Sequence, residues 1–210
     1  MERKNILLVE GNDDEDVVKH LWRTYTRQRV FEIKNKHGVE QVFEETDSTL
    51  VDGNSDICLG IVIDADLDLN EKWQRVMDIL QRASYDLANI PPIPDAPGTV
   101  IKQEFKPIFG VWIMPDNQIE RGYLEDFLSF LVPANDVTWE QAKKCIDNLQ
   151  SKPFIRQNVN HTIKAEILTY LAWQKEPGKP FGAAIAERYL QPNTPEAQNF
   201  VNWLKRLFVE

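Results

Sequence analysis

Over the first half of the chain, continuous apolar runs alternate with segments of helical periodicity. NILLVE (5–10) is an apolar run closed by an acid and predicts a buried strand. NDDEDVVKHLWRTYTRQ (12–28) predicts a helix whose acids fall in the first turn, where the helix dipole favours them. VFEIKNK (30–36) alternates like a half-exposed strand, GVEQVFEETDSTL (38–50) predicts a short helix, and ICLGIVIDA (57–65) a second fully buried strand. NEKWQRVMDILQRASYDL (70–87) is strongly amphipathic at helical spacing. NIPPIPDAPG (89–98), with its four prolines, predicts a surface loop. TVIKQEF (99–105) and IFGVWIMPDN (108–117) predict two more strands, the second broken at Pro115. Helical patterns follow at about 123–132, 138–150, 161–175, 182–190 and 195–208. Strands alternating with helices point to an α/β fold, a three-layer sandwich around a mostly parallel sheet with a helical C-terminal region.

Composition narrows this only a little. A chain of 210 residues, 42% hydrophobic, suffices for one sizeable core, and residues 1–210 are expected to form one domain: a βα core over 1–117 with a helical part over 118–210 packed on it. The two cysteines, Cys58 and Cys145, lack metal-ligand spacing and read as reduced thiols. The apolar segment of MERKNILLVEG is too short for a signal peptide or a membrane span, so a cytoplasmic protein with no membrane partner is expected. The net charge of −9 is uneven. Residues 1–150 carry 16 Lys and Arg against 28 Asp and Glu, whereas residues 151–210 carry 8 against 5. A broad nucleic-acid-binding face is not expected on the acidic part, yet an acidic metal site can still act on phosphodiesters.

The chemistry concentrates where apolar runs end. Glu10 precedes Gly11; Asp64, Asp66 and Asp68 alternate in IVIDADLDLN; and Asp116 follows IFGVWIMP, with Glu120 and Glu125 shortly beyond. If extended structure continues past Ile63, the three alternating carboxylates point the same way. Like charges so close raise one another's pKa unless a cation sits among them. In open parallel sheets ligands gather at the carboxyl ends of strands, so these acids are expected to converge there. Oxygen ligands without His or Cys suit Mg²⁺ or Mn²⁺. Two such ions could clamp the attacking and leaving oxygens of a phosphodiester.

These residues carry a family resemblance. ILLVEGNDDEDVVKHL, GIVIDADLD and GVWIMPDNQIERGYLEDFL together resemble the TOPRIM domain, and HTIKAEILTYLAWQKEPGKPFGAAIAERYL with FVNWLKRLF extends the likeness over nearly the whole chain. It is most similar to a prokaryotic TOPRIM-like family of uncharacterised function, related to the nuclease domains of OLD-type (overcoming-lysogenization-defect) proteins. The resemblance implies Glu10 as metal ligand or general base, Asp64 and Asp66 as metal ligands, and Asp116 with Glu120 or Glu125 at a second metal position. Lys164 falls where OLD-type nucleases carry a lysine, which implies a role in stabilising charge on the phosphate. The implied activity is Mg²⁺- or Mn²⁺-dependent nuclease or related phosphoryl transfer, with a nucleic acid or a nucleotide as partner. No companion ATPase or strand-passage segment is recognisable.

Other readings stand beside this one. The same acids could belong to a non-catalytic TOPRIM-like binding or regulatory module serving a protein partner. Asp64 with Lys106-Pro107 also fits a receiver-like signalling domain, and Asp64-x-Asp66 fits a haloacid-dehalogenase-like phosphatase. Asp68 or Asn70 fits a helix cap, Asp116 an Asx turn, and residues 13–16 a dipole-stabilising first turn. Phe200, Leu204, Leu207 and Phe208 form one stripe, suited to core packing or to a homo-oligomer contact.

Overall fold

Strand β1 (Lys4–Val9) sits centrally because its side chains alternate between two apolar faces, and both faces are covered. The computed structural model describes residues 3–156 and 159–210. After β1 come helix α1 (Asn12–Tyr25), β2 (Glu32–Asn35), α2 (Val39–Asp52), β3 (Ile57–Asp64) and α3 (Leu69–Arg82). The chain continues through β4 (Thr99–Ile101), β5 (Ile108–Met114), α4 (Leu124–Phe130), α5 (Val137–Asp147) and a short hairpin of β6 (Ile155–Arg156) and β7 (Val159–Asn160). It closes with α6 (Thr162–Ala172), α7 (Phe181–Ala186) and α8 (Pro195–Phe208).

The main sheet has the order β2-β1-β3-β5-β4, parallel throughout except that β4 runs antiparallel to β5. The expected α/β class with a mostly parallel sheet is therefore observed. Leu7, Val9, Val62, Trp112 and Met114 face one layer, which includes α1, α4 and α8. Ile6, Leu8, Leu59, Ile61, Ile63, Phe109, Val111 and Ile113 face α2 and α3 on the other side. From β1 the chain moves outward to β2 and then returns to place β3 on the opposite flank. The strand order thus reverses between β1 and β3, and in open parallel sheets ligands bind at the carboxyl ends of strands at such a reversal.

Several boundaries fall short of the sequence pattern. Helix α1 stops at Tyr25 because Thr26 is extended, and α3 stops at Arg82, just before Ser84 turns left-handed at φ 57°. The strand expected over 99–105 ends at Ile101, and Phe105 adopts φ 61° with its ring in solvent. The hairpin of β6 and β7 has two residues in each strand, too few to leave a periodic signal.

Helix α8 lies against the sheet because two strands lack side chains beneath it. Gly60 and Gly110 are register partners in β3 and β5. A Cβ at Gly60 would stand 2.8 Å from Leu207 Cδ2, and one at Gly110 would stand 2.5 Å from the same atom. Real carbon atoms do not approach so closely, so the glycines form a notch for Leu207. Phe200, Leu204, Leu207 and Phe208 are all buried within the chain's own core; the stripe is not available as an oligomer contact. The Cys58 thiol donates to the Leu207 carbonyl at 3.1 Å, and burial pushes its pKa up to about 12. Trp203 donates its indole N–H to the Thr99 carbonyl, and Arg206 donates to the carbonyls of Pro97 and Gly98, so α8 also anchors the entry to β4. Among the described residues no helix is long and apolar enough to cross a membrane.

Gly110→Ala should lower stability by about 1–3 kcal/mol, the usual cost of overpacking a tight core. A lower denaturant midpoint with an unchanged slope is the expected reading. Adding Leu207→Ala should cost less than the sum of the two single changes, since it removes the clashing side chain.

Candidate functional site

Carboxylates gather at the carboxyl ends of β1 and β3, where the strand order reverses. Glu10 follows β1 directly, and its Oε1 accepts the backbone N–H of Asp64 at 2.8 Å, tying the two strand ends together. Asp64 is the last residue of β3, and its Oδ1 is buried without a hydrogen-bond partner. A buried carboxylate oxygen left unpaired costs several kcal/mol unless a proton or a cation meets it. Burial is the main reason that Asp64 is held well above the ordinary carboxylate range, and Glu10, Asp14, Asp66 and Glu125 push it further up. Glu10 is also raised, by burial first and by Asp66 second among the raising causes, against the hydrogen bond from Asp64 that lowers it.

Past Asp64 the chain does not stay extended. Asp66 adopts the left-handed region at φ 54° and forms an isolated antiparallel bridge with Gly122, through Asp66 N–H to Gly122 O at 3.0 Å and the reverse bond at 3.1 Å. Asp68 caps α3, with Oδ1 accepting from the N–H groups of Asn70 and Glu71. The expectation that Asp64, Asp66 and Asp68 point together is therefore corrected, because the turn at Asp66 breaks the two-residue period. Lys72, one turn into α3, reaches back to Asp66 Oδ2 at 2.5 Å.

A second group arrives through helices. Glu125, in the first turn of α4, is 7% exposed and accepts from Lys164 Nζ at 2.6 Å, with Lys164 on α6. Burial works against the Lys164 ammonium, but its bond to Glu125 and the charges of Glu125, Asp13 and Asp64 prevail and raise its pKa. Glu120 is exposed, and its backbone carbonyl accepts from Leu69. Asp116 uses Oδ1 in an Asx turn, accepting from Gln118 and Ile119. Of the seven residues given roles by the resemblance, Glu10, Asp66, Glu125 and Lys164 thus lie within electrostatic reach of Asp64, while Asp116 is engaged in its Asx turn and the Glu120 side chain is exposed on the β5–α4 loop.

Three further residues belong to this neighbourhood and carried no functional weight in the sequence. Asp14, in the first turn of α1, is 9% exposed; burial first and Glu10 second raise its pKa to about 7. Its sequence signal is the i, i+3, i+4, i+7, i+8 stripe of Asp14, Val17, Val18, Leu21 and Trp22, which is the buried face of the helix. Lys72 supplies the countercharge to Asp66. Tyr123, whose hydroxyl is raised by burial and then by Asp66 and Asp64, precedes α4. Beside Asp66 and Tyr123 opens a cavity of about 590 Å³, edged by Arg121 and by Arg156 of the hairpin.

For a divalent cation the donor chemistry fits: hard oxygens and one buried oxygen lacking any partner. Two of the side chains as they stand are committed elsewhere. Among the described residues no three acids, histidines or cysteines are gathered closely enough to ligate one ion, and Asp66 and Glu125 already hold lysines.

A family model described as "Protein of unknown function (DUF3226)" matches residues 4–209. No curated protein and no solved structure matches the chain.

The raised acids set a pH dependence. A carboxyl group whose pKa is higher folded than unfolded binds its proton better in the folded state, so stability is full below the unfolded value and falls as pH rises through the folded one. For Asp14 that window runs from the ordinary aspartate value of 3.8 to about 7. In chelator, the protein should be more stable at pH 4.5 than at pH 8, and Asp14→Asn should flatten the slope by on the order of 3 kcal/mol across this range. Denaturant midpoints measured across the window check this; a wild-type midpoint that rises with pH would reject it.

Proposed function

We propose that this chain, which belongs to the DUF3226 family, is a divalent-metal-dependent phosphoryl-transfer protein, a nuclease of TOPRIM-like type related to OLD nuclease domains. The observation that carries this reading is the unpartnered, buried Asp64 Oδ1 at the strand-order reversal, ringed by Glu10, Asp14, Asp66 and Glu125. Such an arrangement is unfavourable in an isolated protein and favourable around a cation.

A Mg²⁺ or Mn²⁺ ion there would supply positive charge to a phosphate and make a water more acidic. Asp64 would hold it through the oxygen that now lacks a partner, with Asp66 and Glu125 contributing once freed from Lys72 and Lys164. Glu10, fixed by the Asp64 backbone N–H and raised in pKa, would take the proton from the attacking water. Lys164, 45% exposed at its side chain, would turn its ammonium from Glu125 to the phosphate as negative charge develops. Asp116 and Glu120 remain part of the proposal only as outer ligands at a second ion position.

A second reading rests on a specific observation. The two lysine pairs neutralise Asp66 and Glu125 in place, as in a TOPRIM-like module that binds or regulates without turnover. The receiver-like reading draws less from the geometry. Lys106 donates to the Ala83 carbonyl and precedes β5, at the end of the sheet opposite Asp64.

Calorimetric titration with Mn²⁺ should show binding to wild type and none to Asp64→Asn. Cleavage of supercoiled DNA, single-stranded DNA and RNA in Mn²⁺ should be lost in Asp64→Asn. In Lys164→Ala it should fall about a hundredfold or more while Mn²⁺ affinity is not weakened. Mn²⁺ binding without cleavage of any substrate would favour the non-catalytic module, and equal cleavage by all three proteins would mark a contaminant.

A further inference from the structure

Away from the carboxylates, a groove of about 900 Å³ runs along α1 and under the segment leading into β2, and its charge is opposite to that of the chain as a whole. Lys4, Lys19, Arg23, Arg27 and Arg29 line it. Among the described residues only two acids do so, Glu15 and Glu32, and Glu15 is already paired with Lys19. Lys4, Arg23, Arg27 and Arg29 are exposed and form no ion pair among the described residues. In a protein with 33 acids against 24 basic residues, unpaired cations concentrated in one concavity are not accounted for by the balance of surface charge.

We propose that this groove binds the sugar–phosphate backbone of a single nucleic-acid strand, without sequence preference. Linear phosphate chains match a row of guanidinium groups, which take phosphate oxygens in a bidentate fork. The concavity favours a strand over a flat lipid surface. Its two large rings, Trp22 and Phe31, are buried against each other and offer neither a membrane-inserting wedge nor an open stacking platform for bases. Glu15 to Thr26 spans about 17 Å along the helix axis, room for a few phosphates of one strand. The groove begins at Glu15, the residue after Asp14 of the carboxylate site. A strand lying in it would be led toward that site, but the binding itself does not depend on turnover there.

The test uses the full chain in chelator, which takes the metal site out of play, and a fluorescently labelled single-stranded 12-mer. Wild type should bind with an affinity that falls steeply with salt, and several sequences should bind alike. Arg23→Glu with Arg27→Glu should weaken binding at least tenfold and flatten the salt dependence. Lys144→Glu with Lys175→Glu, an equal charge change at exposed sites off the groove, should have much less effect. Unaltered melting temperatures establish that all variants are folded; if the Glu pair unfolds, Arg23→Gln with Arg27→Gln provides the same reading. No binding by wild type, equal loss in both charge-reversed pairs, or tighter binding to phosphatidylserine vesicles or polyglutamate would overturn the proposal. Failure of Mn²⁺ binding with groove-dependent oligonucleotide binding intact would instead sink only the nuclease reading.

Discussion

Everything at the carboxylate site depends on where β3 and β5 sit, and their placement depends on the contact between Leu207 and the paired glycines. Gly60 and Gly110 leave a notch across two neighbouring strands, and α8 fills it with the side chain that those glycines lack. Burying one leucine of this kind is worth about 1.5–3 kcal/mol, a sizeable share of the margin by which a domain is stable. The last helix in the chain therefore seals one face of the sheet whose far ends carry Glu10 and Asp64. Local chemistry at residue 64 is held in place by packing more than a hundred residues away in sequence.

That packing also explains how the sheet tolerates its charged rim. The apolar stretches of β1 and β3 are covered on both faces, so their carboxyl ends are forced into partly desolvated surroundings whatever residues stand there. Asp64 takes the largest share of that burden, Glu10 is steadied by a backbone N–H, and Asp66 and Glu125 are relieved by lysines from α3 and α6. Two separate devices thus ease one electrostatic problem, a hydrogen bond at Glu10 and ion pairing at Asp66 and Glu125, and Asp64 has neither at its buried oxygen.

How much of this could be read in advance follows from the range of each signal. The strands ending at Val9, Asp64 and Met114 were legible because fully buried strands leave unbroken apolar runs, and the strand-end acids were legible as interruptions of those runs. Asp66 was placed by alternation on the same side as Asp64, an inference that fails because a left-handed residue and a bridge to Gly122 lie beyond any two-residue pattern. Asp14 was hidden in plain acidic surroundings. Only its place on the Val17–Val18–Leu21–Trp22 stripe distinguishes it from Asp13, Glu15 and Asp16. The Gly60–Gly110 pairing and the lysine partners are properties of register and tertiary approach, which single-chain periodicity does not encode.

The Cys58 thiol gives the docking of α8 a chemical handle. Its hydrogen bond runs to the carbonyl of Leu207, the residue seated in the glycine notch, and its burial keeps the reactive thiolate scarce at neutral pH. While the helix is seated, an alkylating reagent finds neither an exposed sulfur nor an ionised one. Any excursion that lifts the C-terminal turn uncovers both at once, so modification at Cys58 counts those openings. The fold carries its own clock for the motion of its closing helix.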